Sequence, residues 1–212
     1  LDLGEYEIGH RLIAPLLGGT GGPRLLARVL GGSSGEIDAI NADANAIQGQ
    51  LELIDGKDAE ARRRVEKVLE FDDTNLRALL VRAELLMKES QFERALSDVQ
   101  MVLNNSPTSI PGRLLLARIY AAKGDQILAL TNYRRASADH PDDSGVLTAH
   151  ATYLVDHGRL GDALALIRDF LRDNPRAGRT QAIALNRRLC AGQEAACRTA
   201  MRTVGGSWPE IG

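Results

Sequence analysis

The chain is short of aromatic residues, at 4%, and of cysteine, with two in 212 residues. No apolar run reaches the length of a membrane span. Net charge is nearly absent too, at −2, so the sequence lacks the basic footprint of a nucleic-acid binder. Few aromatics with abundant Ala, Leu and Arg favour helix over sheet. An apolar fraction of 44% is enough for a folded core and excludes disorder of the whole chain. The chain opens on Leu1 rather than Met, so it is expected to be trimmed or processed, with any leader or anchor lying upstream.

What is present is a period. Pro107, Pro141 and Pro175 each follow a helical run and lie 34 residues apart. Ala61, Ala95, Ala129 and Ala163 keep the same interval. Gly56, Ser90, Gly124 and Gly158 precede those alanines by five, and Val65, Val99, Tyr133 and Ile167 follow them by four. Four columns sharing one period and one phase mark an internal repeat. Carried on by 34, the columns reach Gly192, Cys197, Met201 and Pro209.

Within each period the pattern predicts two antiparallel helices. Leu79, Ala83 and Leu86 form one stripe at three- and four-residue spacing, and Phe92, Ala95, Leu96, Val99 and Leu103 form the next. The segment "KESQ" separates them and "NNSP" ends the second helix, which proline cannot continue. Small residues such as Ala83 and Ala95 let the two axes approach. One hairpin leaves an apolar face uncovered, so neighbours must stack.

This pattern resembles the tetratricopeptide repeat family, most closely in "RLLLARIYAAKGDQILALTNYRRASADHP" through Leu116, Ala117, Tyr120, Gly124, Ala129, Tyr133, Ala136 and Pro141. Ala151, Leu154, Gly158, Ala163, Ile167 and Pro175 carry it through the following unit. The resemblance implies an all-α fold, a right-handed superhelical solenoid of antiparallel helix pairs. Five repeats are assigned, at 42–75, 76–109, 110–143, 144–177 and 178–211. The first departs from the motif with Asp73 at the proline column and Glu52 in an aromatic column; the fifth has Leu185 where a small residue is usual. Residues 1–41 hold nine glycines and are expected to form a degenerate helical cap, with helices near 5–17 and 23–30.

Several chemical motifs are present and decline on inspection. "GGSSG" matches G-x-S-x-G around Ser33, but that motif needs a strand-to-helix elbow in an α/β sheet, for which helical hairpins leave no place. No phosphate-cradling loop with its lysine occurs. His150 and His157 are seven residues apart, about 10 Å along a helix, too far to share a metal. His150 is expected to pack or hydrogen-bond within its hairpin, and His157 to lie at the turn. Arg62, Arg63 and Arg64 read as a solvated face. No catalytic residue, metal or cofactor is assigned, and the chain is not expected to be an enzyme.

Cys190 and Cys197 fall on either side of the turn at Gly192 in the last unit. Two cysteines without a neighbouring histidine cannot supply zinc, and no C-x-x-C occurs. A disulfide across the turn is the favoured reading, worth about 2–3 kcal/mol for so short a loop. Two reduced packing cysteines are the other. The disulfide implies an oxidising compartment, periplasmic or otherwise extracytoplasmic; the reduced pair implies the cytoplasm.

The resemblance further implies a concave surface, lined by the first helix of each unit, that takes a protein or peptide partner. By position its lining comprises Ala46, Gln50 and Leu53, then Arg77, Leu80, Glu84 and Met87, then Leu114, Arg118 and Ala121, then Thr148, Thr152 and Val155. The lysine, asparagine and arginine set with which some relatives clamp chaperone tails is absent, since Leu80 and Glu84 stand at central places. A mixed groove remains, with Arg77 and Arg118 as expected anchors. The expected function is a non-catalytic scaffold, in a bacterial envelope assembly or secretion system. The alternatives are a regulatory or substrate-recruiting domain of a larger enzyme or sensor, and a groove filled by residues 1–35 themselves.

Overall fold

The computed structural model describes residues 42–174, 176 and 178–205. The expected N-terminal cap, Ser33, Pro175 and Pro209 lie outside them. Ten helices occur among the described residues and no strand. They are α1 (Ala42–Ile54), α2 (Asp58–Phe71), α3 (Leu76–Lys88), α4 (Phe92–Asn105) and α5 (Ile110–Lys123). There follow α6 (Gln126–Asp139), α7 (Ser144–Asp156), α8 (Leu160–Asp173), α9 (Arg179–Cys190) and α10 (Glu194–Val204).

Short turns separate the helices of each pair, and one backbone device builds them. Gly56, Gly124, Gly158 and Gly192 all have φ between 73° and 88°, the left-handed region where only glycine avoids a Cβ clash. The peptide N–H of Gly124 donates to Ala121 O and that of Asp125 to Tyr120 O, which closes the end of α5. The same two bonds recur from Gly158 and Arg159 at the end of α7. Ser90 occupies this position between α3 and α4 at φ 60°, the one non-glycine residue with positive φ among the described residues. The glycine column is therefore a turn column.

Side-chain capping starts three of the helices that follow a longer link, α3, α5 and α7. Asn75 accepts from Ala78 N at 3.1 Å, Ser109 from Gly112 N at 3.2 Å and Asp143 from Val146 N at 2.8 Å. Each satisfies an amide that has no partner inside its helix.

The chain divides into two compact units, with the boundary at Leu130 and Thr131 inside α6. In the first unit α1 packs on α2 and α3 on α4, while α1, α3 and α5 neighbour one another in order. Ala61, Val65 and Val68 of α2 and Leu79 and Leu85 of α3 are buried in one cluster; Ala83, Leu86, Ala95, Val99 and Ile119 form the next. The close approach of α1 and α2 is made by Gly49, where a Cβ would stand 2.7 Å from Val65 Cγ1. Ala83 and Ala117, one and two periods later, are fully buried. In the second unit α7 packs on α8, and α8 also meets α9 and α10. Tyr133, Leu147, Tyr153, Leu164, Ile167 and Phe170 fill its interior. Leu185, in the small-residue column of the last pair, is buried as well.

Candidate functional site

The residues expected to line a partner-binding face divide between the two units. In the first unit, Leu80 and Met87 of α3 and Leu114, Arg118 and Ala121 of α5 are all partly exposed. Leu80 and Met87 rest on the core with one side and meet solvent with the other. Leu80 and Leu114 are one period apart on neighbouring helices, as are Glu84 and Arg118. In the second unit Thr148, Thr152 and Val155 are partly exposed at four- and three-residue spacing along α7, with Thr148 Oγ1 donating to Ser144 O at 2.8 Å. Ala46 and Leu53, also expected on the lining, are buried in the first cluster instead. Glu52 is buried beside them.

The expected anchors are engaged within the protein. Arg118 Nη2 donates to Glu84 Oε1 at 2.8 Å, an ion pair joining α5 to α3. Arg77, which is exposed, donates through Nη1 to Gln50 Oε1 at 2.5 Å, joining α3 to α1. The centre of the face thus carries a neutralised pair, with apolar side chains at Leu80 and Leu114 on one side of it and Met87 on the other.

Two hairpins of the first unit contain ion pairs with a buried carboxylate, one of them in a column where the repeat pattern calls for an aromatic residue. Glu52 is met by Arg64 Nε at 2.9 Å and by Nη2 at 2.7 Å, while Arg64 Nη1 donates to Asn45 Oδ1 at 3.0 Å. A carboxylate in an aromatic column is tolerated because α2 supplies a guanidinium that matches it in the plane. Arg64 is therefore turned into the hairpin, contrary to its reading as part of a solvated face; Arg63 is exposed and Arg62 pairs with Glu89 at the turn edge. In the next hairpin Arg82 makes a two-pronged pair with buried Asp98, both bonds 2.8 Å. That hydrogen bonding holds the Arg82 guanidinium still further above its ordinary range, against the opposing effect of burial.

The second unit carries the histidines. His150 is 5% exposed, its ring stacked on Tyr133, and its Nδ1 lies 2.9 Å from Ser137 Oγ. Nε2 is buried without a hydrogen-bond partner. Burial first, and then the nearby charges of Arg134 and Arg159, lower its pKa from 6.5 to about 4. It is a neutral packing group at ordinary pH. His157 ends α7, its ring 4.1 Å from that of Tyr153. Among the described residues no three metal-ligating side chains come together.

Cys190 and Cys197 form a disulfide between α9 and α10, with Cα atoms 5.7 Å apart and both residues buried. Asn186 Oδ1 lies 3.8 Å from Cys190 Sγ, while its own Nδ2 is buried without a partner. A disulfide sulfur has no hydrogen to donate. Turning this amide over points Nδ2–H at the sulfur.

No family model matches the chain, and no curated protein matches its sequence. Solved structures do. A thermophilic TPR protein of Thermus thermophilus is similar over 77% of this chain and 98% of its own, at TM-score 0.55 and 17% identity. The chain has the tetratricopeptide-repeat fold. The structure of pilF from Pseudomonas aeruginosa is similar over 94% of this chain and 86% of that one, with TM-score 0.59 and 15% identity. MamA is similar over 77% and 89%, with TM-score 0.51 and 16% identity. In this tetratricopeptide fold, α1, α3, α5, α7 and α9 are the first helices of successive pairs, and no described helix is long and apolar enough to cross a membrane.

Proposed function

We propose that this protein is a non-catalytic interaction scaffold that holds a segment of a protein partner against the first helices of its hairpins. The observation that carries this reading is the set of half-buried apolar side chains Leu80, Met87 and Leu114 on neighbouring α3 and α5. Residues needed only for the hairpin cores, such as Leu79, Leu85 and Leu86, are buried in full. Leu80, Leu114 and Met87 keep apolar surface toward solvent at places set by the repeat, where a partner's side chains can remove it from water. In the second unit, Thr148, Thr152 and Val155 of α7 are proposed to play a like role.

The setting we infer is extracytoplasmic, in a bacterial envelope assembly or secretion system. The buried Cys190–Cys197 disulfide supports it, because such bonds persist in oxidising compartments. The likeness to pilF is one of fold and is not evidence of the same setting or partner.

The test is a double substitution, Leu80→Glu with Met87→Glu, in a native pull-down carried out in alkylating agent. Both side chains are partly solvent-exposed, so the helical circular dichroism should stay within a few per cent of the parent, in keeping with stability spread over neighbouring units. Capture of the partner should fall by at least ten-fold, as expected for carboxylates placed on a desolvated interface. Undiminished capture would move the interface off these helices. Alkylation of both cysteines in the freshly lysed native protein would remove the extracytoplasmic assignment.

A further inference from the structure

The charges around the face narrow the chemistry of what it holds. On α3 and α5, Arg82 is spent on Asp98 and Arg118 on Glu84. Arg77 differs from both. It is exposed, its one hydrogen bond goes to the neutral amide of Gln50, and no carboxylate of the described residues lies within ion-pair distance. That bond occupies Nη1 and steers the guanidinium, leaving the Nε and Nη2 edge for a ligand. On the face itself the one carboxylate, Glu84, is neutralised by Arg118; Asp43 of α1 keeps its charge and is turned to Asn75, whose Nδ2 donates to its Oδ1 at 3.0 Å.

Resting on the proposed function, we infer that the partner segment presents a carboxylate side chain to Arg77 and two apolar side chains to Leu80 and Leu114. Arg77 and Leu80 are three residues apart on α3, hence on one face and about 4.5 Å apart along its axis. Leu80 and Leu114 occupy equivalent places on helices whose axes are separated by roughly 8–10 Å. A segment in the polyproline II conformation has three residues per turn and advances about 3.1 Å per residue, so apolar side chains three residues apart share one face and span that gap. The recognised pattern is Asp or Glu beside a Leu-like residue, followed three positions later by a second one. A planar guanidinium held at one corner suits a carboxylate better than a lysine would.

The experiment uses the full chain and two labelled peptides, one containing Asp-Leu-Ala-Ala-Leu and one with Asn in place of Asp, followed by fluorescence anisotropy. The aspartate peptide should bind about three- to five-fold more tightly, the range for an exposed ion pair, and the difference should shrink in 0.5 M salt. Arg77→Ala should erase that preference. Arg94→Ala should keep it: Arg94, on α4, is likewise held by a neutral amide, that of Gln91, at 2.7 Å. Equal binding of the two peptides, no binding of either, or a preference that survives Arg77→Ala overturns the inference. If it falls while Leu80→Glu with Met87→Glu still abolishes partner capture, the face stands and only its charge chemistry is wrong. If capture also survives, both fall.

Discussion

Stability between pH 4 and 7 should be governed in large part by His150. The unfolded ring titrates near 6.5 and the folded one near 4, because burial between α6 and α7 and the positive charges of Arg134 and Arg159 disfavour the imidazolium. Above pH 7 the ring is neutral in both states and contributes nothing pH-dependent. As pH falls below 6.5 the unfolded chain takes up the proton first, so unfolding gains. The full gap of about 2.5 pH units corresponds to about 3 kcal/mol, of which about 2 kcal/mol is lost by pH 5. The perturbation is His150→Leu, since Leu116 fills the same register one period earlier and is buried there. Urea unfolding followed by helical circular dichroism at pH 5.0 and 7.5 gives the difference between parent and variant at each pH. Carboxylates common to both proteins cancel in that comparison. The variant should gain about 2 kcal/mol relative to the parent on going from pH 7.5 to 5.0. A difference independent of pH, or an imidazole NMR titration near 6.5 in the folded protein, would refute the reasoning.

Three further outcomes follow from named contacts. Ser90→Gly should raise stability by about 1 kcal/mol, read as a rise of a few degrees in Tm, because it removes the penalty of a side chain at φ 60°. Arg64→Leu should cost about 3–5 kcal/mol by stranding buried Glu52, while Glu52→Leu with Arg64→Leu should recover most of that in the same urea titration. Reducing the disulfide should lower stability by about 2–3 kcal/mol, and reduction should track unfolding of α9 and α10, since both cysteines are buried; fast reduction of the native protein would contradict this.

The architecture was legible because it rests on positions where one atom decides. A left-handed turn admits glycine with no penalty, and a helix crossing as close as that at Gly49 favours a small residue, a column from which only the last pair departs, with Leu185. Such constraints recur with the repeat, so Gly56, Gly124, Gly158 and Gly192 can be counted off the sequence without knowing any contact. Exceptions were legible as exceptions but not as solutions. Glu52 stands out in its column, yet nothing in its own helix names Arg64 as the partner, twelve residues away and reading as surface. Ion-pair partners lie across helix interfaces, where side-chain length and rotamer decide contact rather than period. The same limit applied to Ala46 and Leu53, which share the phase of the lining and are nonetheless buried in the core.

It also explains why the anchors of the face read differently in sequence and in structure. Arg77 and Arg118 both look like free cations when each is viewed against its own repeat. In the fold, Glu84 sits one helix away from Arg118 in the same column, so identical register brings opposite charges together at 2.8 Å. Moving one period back along that column gives Gln50, which is neutral, and it is Gln50 that Arg77 meets. One column thus cancels one arginine and merely orients the other. Glu84→Gln should therefore act as a gain of function: it frees Arg118 as a second cation beside Leu114 while leaving the size of the side chain unchanged. With the aspartate peptide, that variant should bind more tightly than the parent by a few-fold, and the increment should depend on salt. A Glu84→Gln protein that binds the peptide no better would mean that Arg118 is held by packing along its stem rather than by Glu84, and that Arg77 alone sets the charge preference of the face.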